Sequence, residues 1–355
     1  MHSLPSTNEM IRAFTERDST YEGVFFTGVL TTGIFCRPTC SARKPKPENV
    51  KFFKTSKDAL NHGFRPCKRC LPLELPDAQP PWVTELLAAV ESDPQKRWKD
   101  QDLRNMNLEP ERVRRWFKKH HSMTFHAYSR SRRLGNALGH MKSGSSVTEA
   151  AFENGYDSLT GFRDAVQKMT GVVASKASSA TIVHLERLET PLGPMLAGTT
   201  DDAVCLLEFT DRPMLETQLT RIQNRLKCVF VPQANEMMDQ LRDELKAYFE
   251  GKLTAFQVPL TFPGTDFQQK VWKTLLEIDY GTTVSYQEIA SQIGDIKAVR
   301  AVARANGDNR IAIIIPCHRV IGKDGSLTGY GGGLHRKKHL LGLEQGVQEL
   351  DLFTN

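Results

Sequence analysis

The stretch Ile313-Ile314-Ile315-Pro316-Cys317-His318-Arg319-Val320 decides how the chain is read. A strand-like apolar run delivers a cysteine to a buried position, and the adjacent histidine is the kind of group that lowers a thiol's pKa or takes its proton. Alone the pair is weak, because a buried cysteine more often packs than reacts. Around it, helical patterns cover Phe267 to Ile278 and Tyr286 to Ile293, a loop follows them, and a further helix is expected near Leu334 to Leu343. Ahead of these, residues 182–259 mix a β-like run at Ala203 to Phe209 with helical patterns at Leu215 to Leu226 and Met237 to Phe249.

Farther upstream the composition breaks twice. Pro72 to Pro81 holds four prolines, which suit neither a helix interior nor a central strand, so it reads as a stiff linker. Val172 to Thr181, small and polar, reads as a flexible connection. Between them Trp82, Leu86 and Val90, then Val113 and Phe117, then Phe162 and Val166 recur at helical spacing, as in a small bundle. The 355 residues are enough for several domains. Net charge is +6, concentrated early: residues 1–75 carry 12 basic against 7 acidic side chains, and 96–175 carry 15 against 8. This favours polyanion binding there, although ordinary solvated faces would look alike. Apolar runs fall far below the ~18 residues of a spanning helix. The N-terminus lacks an apolar signal core, so a cytoplasmic protein without membrane contact is expected.

Four of the seven cysteines are grouped as Cys36-x3-Cys40 and, 26 residues on, Cys67-x2-Cys70. In a reducing compartment two close pairs across a loop match a tetrahedral zinc site of four thiolates. Arg37, Arg43, Lys44, Arg65, Lys68 and Arg69 crowd the pairs, which favours thiolates and suits phosphate contacts. Spacing alone favours a purely structural zinc knob with no chemistry of its own. Cys205 and Cys228 read as ordinary buried thiols.

Val147 to Glu153, a turn containing Gly155, and a helix capped by Ser158 form the layout that places a recognition helix in a major groove. A less regular pair precedes it, Gln101 to Met106 and Glu109 to His120, the second rich in Arg112, Arg114, Arg115, Lys118 and Lys119. Residues 82–175 thus resemble the DNA-binding region of AraC-type transcription factors, two helix-turn-helix units joined by a long helix. Two places depart from that pattern. Asn105-Met106-Asn107-Leu108 lacks the usual small residues, and Val172-Val173 replace the usual Thr-Pro. A plain helical packing module is the bland alternative.

Pro316 to Val320 and its setting over residues 182–345 resemble the O6-alkylguanine-DNA alkyltransferases. That resemblance implies a Cys317, His318 and Glu344 relay, in which Glu344 holds the imidazole and His318 draws the thiol proton. It also implies that Tyr286 helps rotate the damaged nucleotide out of the duplex and that Arg300 fills the gap left behind. Asn309 would be a structural tie and Tyr330 a wall of the base pocket. A methyl on guanine O6 is out of reach inside the duplex, so the base must be flipped. The thioether product has no easy leaving path, so one turnover per molecule is expected.

Thr31 to Arg43 and Gly63 to Cys70 resemble the zinc knuckles of the Ada family of adaptive-response proteins, so the likeness spans nearly the whole chain. It implies a multidomain α+β fold. The parts would be a small zinc-bound α/β module (1–75), an all-α double helix-turn-helix domain (82–175), an α/β N-terminal alkyltransferase subdomain (180–262) and a helical DNA-binding catalytic domain (263–347). By the same resemblance Zn2+ is held by Cys36, Cys40, Cys67 and Cys70, Cys36 accepts a methyl from a DNA methylphosphotriester, and Thr32, Ser41, Arg43 and Arg65 touch DNA. Methylating one of four zinc thiolates changes the cluster's charge from −2 to −1, which should strengthen DNA binding. The implied function is stoichiometric repair of O6-methylguanine and O4-methylthymine at Cys317, coupled to transcription activation through Cys36. The implied partners are double-stranded DNA and RNA polymerase, in a nucleoid-associated protein. Two groove-reading units in one chain remove the usual need for a dimer, so a monomer is expected. The alternative is a DNA-binding regulator with a vestigial methyltransferase domain.

Overall fold

Ser6 accepts a hydrogen bond from the Glu9 amide and so starts helix α1 (Thr7–Glu16), which turns Met10, Ala13 and Phe14 inward. A sheet follows, built from β1 (Phe26–Val29), β2 (Ile34–Cys36), β3 (Val50–Phe53) and, after α2 (Ser56–Asn61), β4 (Arg65–Pro66), in the order β3-β1-β2-β4. Phe35, Phe53 and Ala59 make its core. Gly28 lies against the rings of Phe53 and Phe64, where a Cβ would approach to 2.6 Å. So small a core needs a further staple. Strand β2 ends on Cys36 and β4 ends just before Cys67, and their parallel pairing (Ile34 with Arg65, Phe35 with Pro66) brings the two cysteine pairs together.

The computed structural model describes residues 4–73, 79–121, 123–170 and 173–346. The middle of the proline-rich segment, 74–78, lies outside the described residues, and Pro81 begins α3 (Pro81–Ser92), where its missing amide costs nothing. Then come α4 (Asp100–Asn105), α5 (Pro110–His121), α6 (Phe125–Lys142), α7 (Val147–Glu153) and α8 (Leu159–Thr170). Both helix-turn-helix pairs form, α4–α5 and α7–α8, and the long helix α6 joins them. The first closes without small residues because Asn107 takes the left-handed conformation (φ 57°), which asparagine adopts at low cost. The second uses Gly155 at φ 69°, where a Cβ would meet the Gln95 carbonyl.

The connection after α8 is not the open segment expected. Ala174–Ser179 form a 3-10 helix, with Ala174 and Ala177 in the same core as Leu134, Leu138 and Phe162 of the helical region. A sheet ordered β7-β6-β5-β8 follows, from β5 (Thr181–Leu188), β6 (Met195–Thr199), β7 (Val204–Phe209) and β8 (Cys228–Val231), with α9 (Leu215–Leu226) and α10 (Glu236–Phe249). The last elements are α11 (Asp266–Leu276), β9 (Val284–Ser285), α12 (Tyr286–Gln292), α13 (Val299–Gly307), β10 (Val320–Ile321) and α14 (Leu334–Glu344). Two expectations are corrected here: residues 299–307 are helical rather than loop, and the isoleucine run is a buried turn rather than a strand.

These elements divide into two compact units. One holds residues 80–331; the other holds the N-terminal sheet together with α14, where the His335 ring lies 5.4 Å from that of Tyr21. No helix among the described residues is long and apolar enough to cross a membrane.

Candidate active sites built on two cysteines

The sulfurs of Cys36, Cys40, Cys67 and Cys70 all lie within 4.8 Å of one another, and Cys40 and Cys67 are 4.0 Å apart. A tetrahedral zinc with bonds of ~2.3 Å sets its sulfurs roughly 3.8 Å apart, so the cluster fits the ion. The Arg37 and Arg69 amides point at Cys70 Sγ and Cys67 Sγ, each at 3.4 Å. Four half-buried or buried thiols conflict without a cation. Cys36 is pushed up by its hydrogen bond to Cys70 and by burial, and Cys70 is pulled down to about 5, chiefly because Cys36 donates to it.

Two residues not foreseen from sequence, Glu22 and Arg17, help Arg37 hold this loop. Arg37, expected only to supply charge, donates to the carbonyls of Cys70 (2.9 Å) and Leu71 (3.1 Å) and pairs with Glu22 at 3.2 Å. Glu22 also accepts from the Thr39 hydroxyl. Arg17 donates to the Cys40 carbonyl at 3.2 Å. No spacing motif marks Glu22 or Arg17, because their partners are backbone or lie far along the chain. Thr32, Ser41, Arg43 and Arg65 are exposed beside the cluster. The Arg65 amide donates to the Gly33 carbonyl at 2.7 Å, which sets Arg65 next to the Thr32 turn.

Cys317 is 5% exposed and opens a 3-10 turn, Cys317–Arg319, after Pro316. The turn before it is held by Asn309. Its Oδ1 accepts from the Ile311 amide (2.9 Å), and its Nδ2 donates to the Ile315 carbonyl (2.9 Å) and to Cys317 Sγ (3.1 Å). Ile313 sits at φ 72°, a costly conformation for a β-branched residue and one that persists only where the surroundings dictate it. Ile311 bridges to Leu207 of β7, so the turn is sewn to the sheet. Immediately after the site β10 pairs in parallel with β9, Val320 with Val284 and Ile321 with Ser285, which carries Tyr286 to the cysteine's neighbourhood. The Tyr286 hydroxyl is raised by burial, with the Cys317 sulfur adding to the rise and side chains of Thr328 and Asn306 opposing it.

His318 is fully buried, and Arg319 donates to the Ile278 carbonyl at 2.6 Å. Arg300 is exposed on the first turn of α13, the second helix of a further helix-turn-helix pair with α12. Tyr330 is half-buried in the glycine-rich loop, next to Gly331, where a Cβ would fall 2.6 Å from the Arg212 guanidinium. Glu344 ends α14 and is buried, in the unit that does not contain Cys317. Sequence reasoning missed Asn306, whose Nδ2 reaches the Cys317 carbonyl at 3.4 Å, and Arg212, which donates to the carbonyls of Gly307 and Asn309. Only the polar Asn306-Gly307-Asp308-Asn309 run hinted at the first. On the second helices of the two helix-turn-helix pairs, Arg112, Arg115 and Lys119 of α5 and Arg163 and Lys168 of α8 are exposed.

Comparison with known proteins finds family matches along most of the chain. Residues 9–72 match the metal-binding domain of Ada, 103–179 a helix-turn-helix domain, 183–262 the ribonuclease-like domain of 6-O-methylguanine DNA methyltransferase and 266–346 its DNA-binding domain. The chain is 35% identical over 345 residues to the bifunctional transcriptional activator/DNA repair enzyme Ada of Escherichia coli, covering 94% of this chain and 95% of that one. The chain belongs to the Ada family. Its second half is 47% identical over 172 residues to a Mycobacterium tuberculosis methylated-DNA–protein-cysteine methyltransferase, 48% of this chain and 98% of that one. Among solved structures, M. tuberculosis OGT in complex with DNA is 46% identical over 46% of this chain and 94% of its own, with a TM-score of 0.40. As an Ada-family member the chain is multidomain, with a zinc module, a helix-turn-helix domain, a ribonuclease-like α/β domain and a helical DNA-binding domain. Zinc is its cofactor, and the four-sulfur cluster is where it fits.

Proposed function

We propose that this Ada-family chain repairs alkylated DNA by transferring methyl groups irreversibly to two of its own cysteines, and that one transfer switches it into a transcription activator. The observation that carries this reading is the presence, in one chain, of a buried thiol held by Asn309 and a four-cysteine zinc cluster. At Cys317 the thiol proton passes to His318 and the thiolate attacks the methyl carbon of O6-methylguanine or O4-methylthymine. The S–C bond forms as the O–C bond breaks, and the released base regains a proton on its ring nitrogen. Glu344 orients His318, Tyr286 and Arg300 flip the nucleotide and fill the vacancy, and Tyr330 walls the pocket. Asn309 fixes the sulfur.

At the cluster, Cys36, Cys40, Cys67 and Cys70 hold Zn2+, which when bound keeps Cys36 a thiolate at neutral pH. Cys36 takes a methyl from a methylphosphotriester and leaves a phosphodiester behind. Thr32, Ser41, Arg43 and Arg65 contact the backbone around it. The cluster loses one negative charge, less repulsion opposes DNA, and promoter affinity rises. Double-stranded DNA is the first partner; recruitment of RNA polymerase by a monomer in the cytoplasm completes the reading.

Intact mass and peptide mapping after incubation with DNA carrying O6-methylguanine or, separately, methylphosphotriesters tests it. One added methyl on Cys317 from the first and one on Cys36 from the second are expected. No mass gain from either, with zinc bound and the chain folded, leaves the regulator with an inert methyltransferase domain. A salt series on native and Cys36-methylated protein tests the switch, and equal affinities at every salt concentration would sink it.

A further inference from the structure

A pocket of about 320 Å3 opens within the helix-turn-helix region, between α6 and the start of α8. Its walls include Arg97 and Trp98 ahead of α4, His126, Arg130 and Arg133 on α6, and Tyr156. The volume lies at the lower end of the range for small-ligand sites. Trp98 Nε1, His126 Nδ1 and Arg133 Nε are among the buried polar atoms of these residues that have no hydrogen-bond partner. Folded proteins rarely strand such groups, and several on one pocket call for an occupant.

The chemistry of the wall selects its class. Trp98 and Arg133 are each 8% exposed, and the Arg133 guanidinium lies 4.7 Å over the Tyr156 ring. The nearby acids are already engaged: Asp157 pairs with Arg97 at 3.5 Å and Asp100 with His126 Nε2 at 2.7 Å. Among the described residues no carboxylate pairs with Arg130 or Arg133. Helix α8 begins at the pocket, with Ser158 accepting from the Gly161 amide at 3.1 Å, and its positive end adds to the field. Apart from His126 Nδ1, an acceptor in the neutral ring whose Nε2–H goes to Asp100, the wall thus offers donors and positive charge.

We propose that this pocket binds a phosphate ester, held by Arg133 and Arg130 and by the Trp98 indole N–H. The group is either a backbone phosphate of the DNA read by α8 or a free phosphorylated small molecule. The proposal is independent of both methyl transfers, which use other residues.

The test uses the full-length, zinc-loaded protein in two arms. In the first, inorganic phosphate is titrated against sodium chloride at equal ionic strength, followed by tryptophan fluorescence and phosphorus NMR. In the second, the affinity of an unmodified duplex is measured against salt. Arg133→Gln and Trp98→Phe are compared with the parent in both. A free ligand predicts saturable phosphate binding, weakened about tenfold by Arg133→Gln, with duplex affinity unchanged. A DNA phosphate predicts a duplex affinity weakened about tenfold by Arg133→Gln, with a salt slope lower by about one. Trp98→Phe separates a formed site from general charge. It removes one N–H donor and no charge, so it should weaken the responsive arm several-fold while leaving the salt slope alone. No saturable phosphate binding together with parental duplex affinity in Trp98→Phe overturns the proposal, whether or not Arg133→Gln folds.

Discussion

Replacing Asn309 with alanine should damage stability and chemistry by separable amounts. The side chain satisfies the buried Ile311 amide and Ile315 carbonyl at 2.9 Å each and donates to Cys317 Sγ at 3.1 Å. Leaving a buried backbone donor or acceptor unmet costs about 1–3 kcal/mol, so two such groups predict a loss of about 2–6 kcal/mol. That is a large share of a typical stability of about 5–15 kcal/mol. The sulfur also loses a donor that favours the thiolate. A hydrogen bond to a charged group is worth about 1.5–3 kcal/mol, which predicts methyl transfer slower by about 10- to 100-fold. Asn309→Asp reverses the sign of the interaction at the sulfur while also losing the donor to the Ile315 carbonyl. It keeps an acceptor for Ile311 but sets a carboxylate beside the sulfur, which raises the thiol's pKa and moves the pH–rate profile to higher pH. Urea unfolding and single-turnover transfer at several pH values read both. Asn309→Ala within about 0.5 kcal/mol of the parent, with its rate within about twofold, would refute the reasoning.

Stripping zinc with a chelator should unfold the N-terminal sheet, whose own core is small; circular dichroism and limited proteolysis at residues 4–73 should report it, and restored zinc should reverse it. Arg212→Leu removes the guanidinium that pairs with fully buried Glu208 and should cost about 3–5 kcal/mol, whereas adding Glu208→Leu should recover in calorimetry the part due to the stranded carboxylate but not the part due to the Gly307 and Asn309 carbonyls. His121 is held down to about 4, chiefly by burial and secondarily by Arg187, while its unfolded pKa is about 6.5. The unfolded chain therefore binds the proton first: this stability is complete above about pH 6.5 and is lost as pH falls toward 4, by at most about 3 kcal/mol. His121→Phe, among the rings of Trp116, Phe117 and Tyr128, should flatten that slope in urea titrations.

How legible each part was in the sequence follows from where its information sits. The cysteine cluster was readable because both pairs fall at strand ends and their spacing is local. Helices α5, α9 and α14 were readable because their apolar residues recur at helical spacing. Strands β5, β6 and β8 were missed: β6 is buried at every position, so it lacks alternation, and β8 is only four residues long. The isoleucine run misled for a related reason. Its apolar side chains are those of a buried strand, but only a single bridge joins it to β7, and Asn309 takes the Ile311 amide and the Ile315 carbonyl instead. Nothing in residues 311–315 alone reveals that. Arg212 was invisible because it acts on carbonyls about 95 residues away.

The helical reader and the methyltransferase sheet also look separable in sequence, yet α6 serves both. One side of α6 closes the helical core; the other meets β8, and Leu134, Phe162, Ile182, Val229 and Val231 form a single cluster. Gly135 makes the approach possible, since a Cβ there would fall 2.5 Å from Val231, and a glycine inside a helix is otherwise a cost of about 1 kcal/mol. Arg132, almost buried, extends the joint by donating to the Pro232 carbonyl at 2.8 Å while pairing with Glu91 of α3. A cut near residue 175 would bare the apolar face of β8 and remove the wall against which α6 packs. The helix-turn-helix pairs and the sheet that anchors the Cys317 turn therefore share one stability, and a lesion in that shared core destabilises both even where neither site is touched.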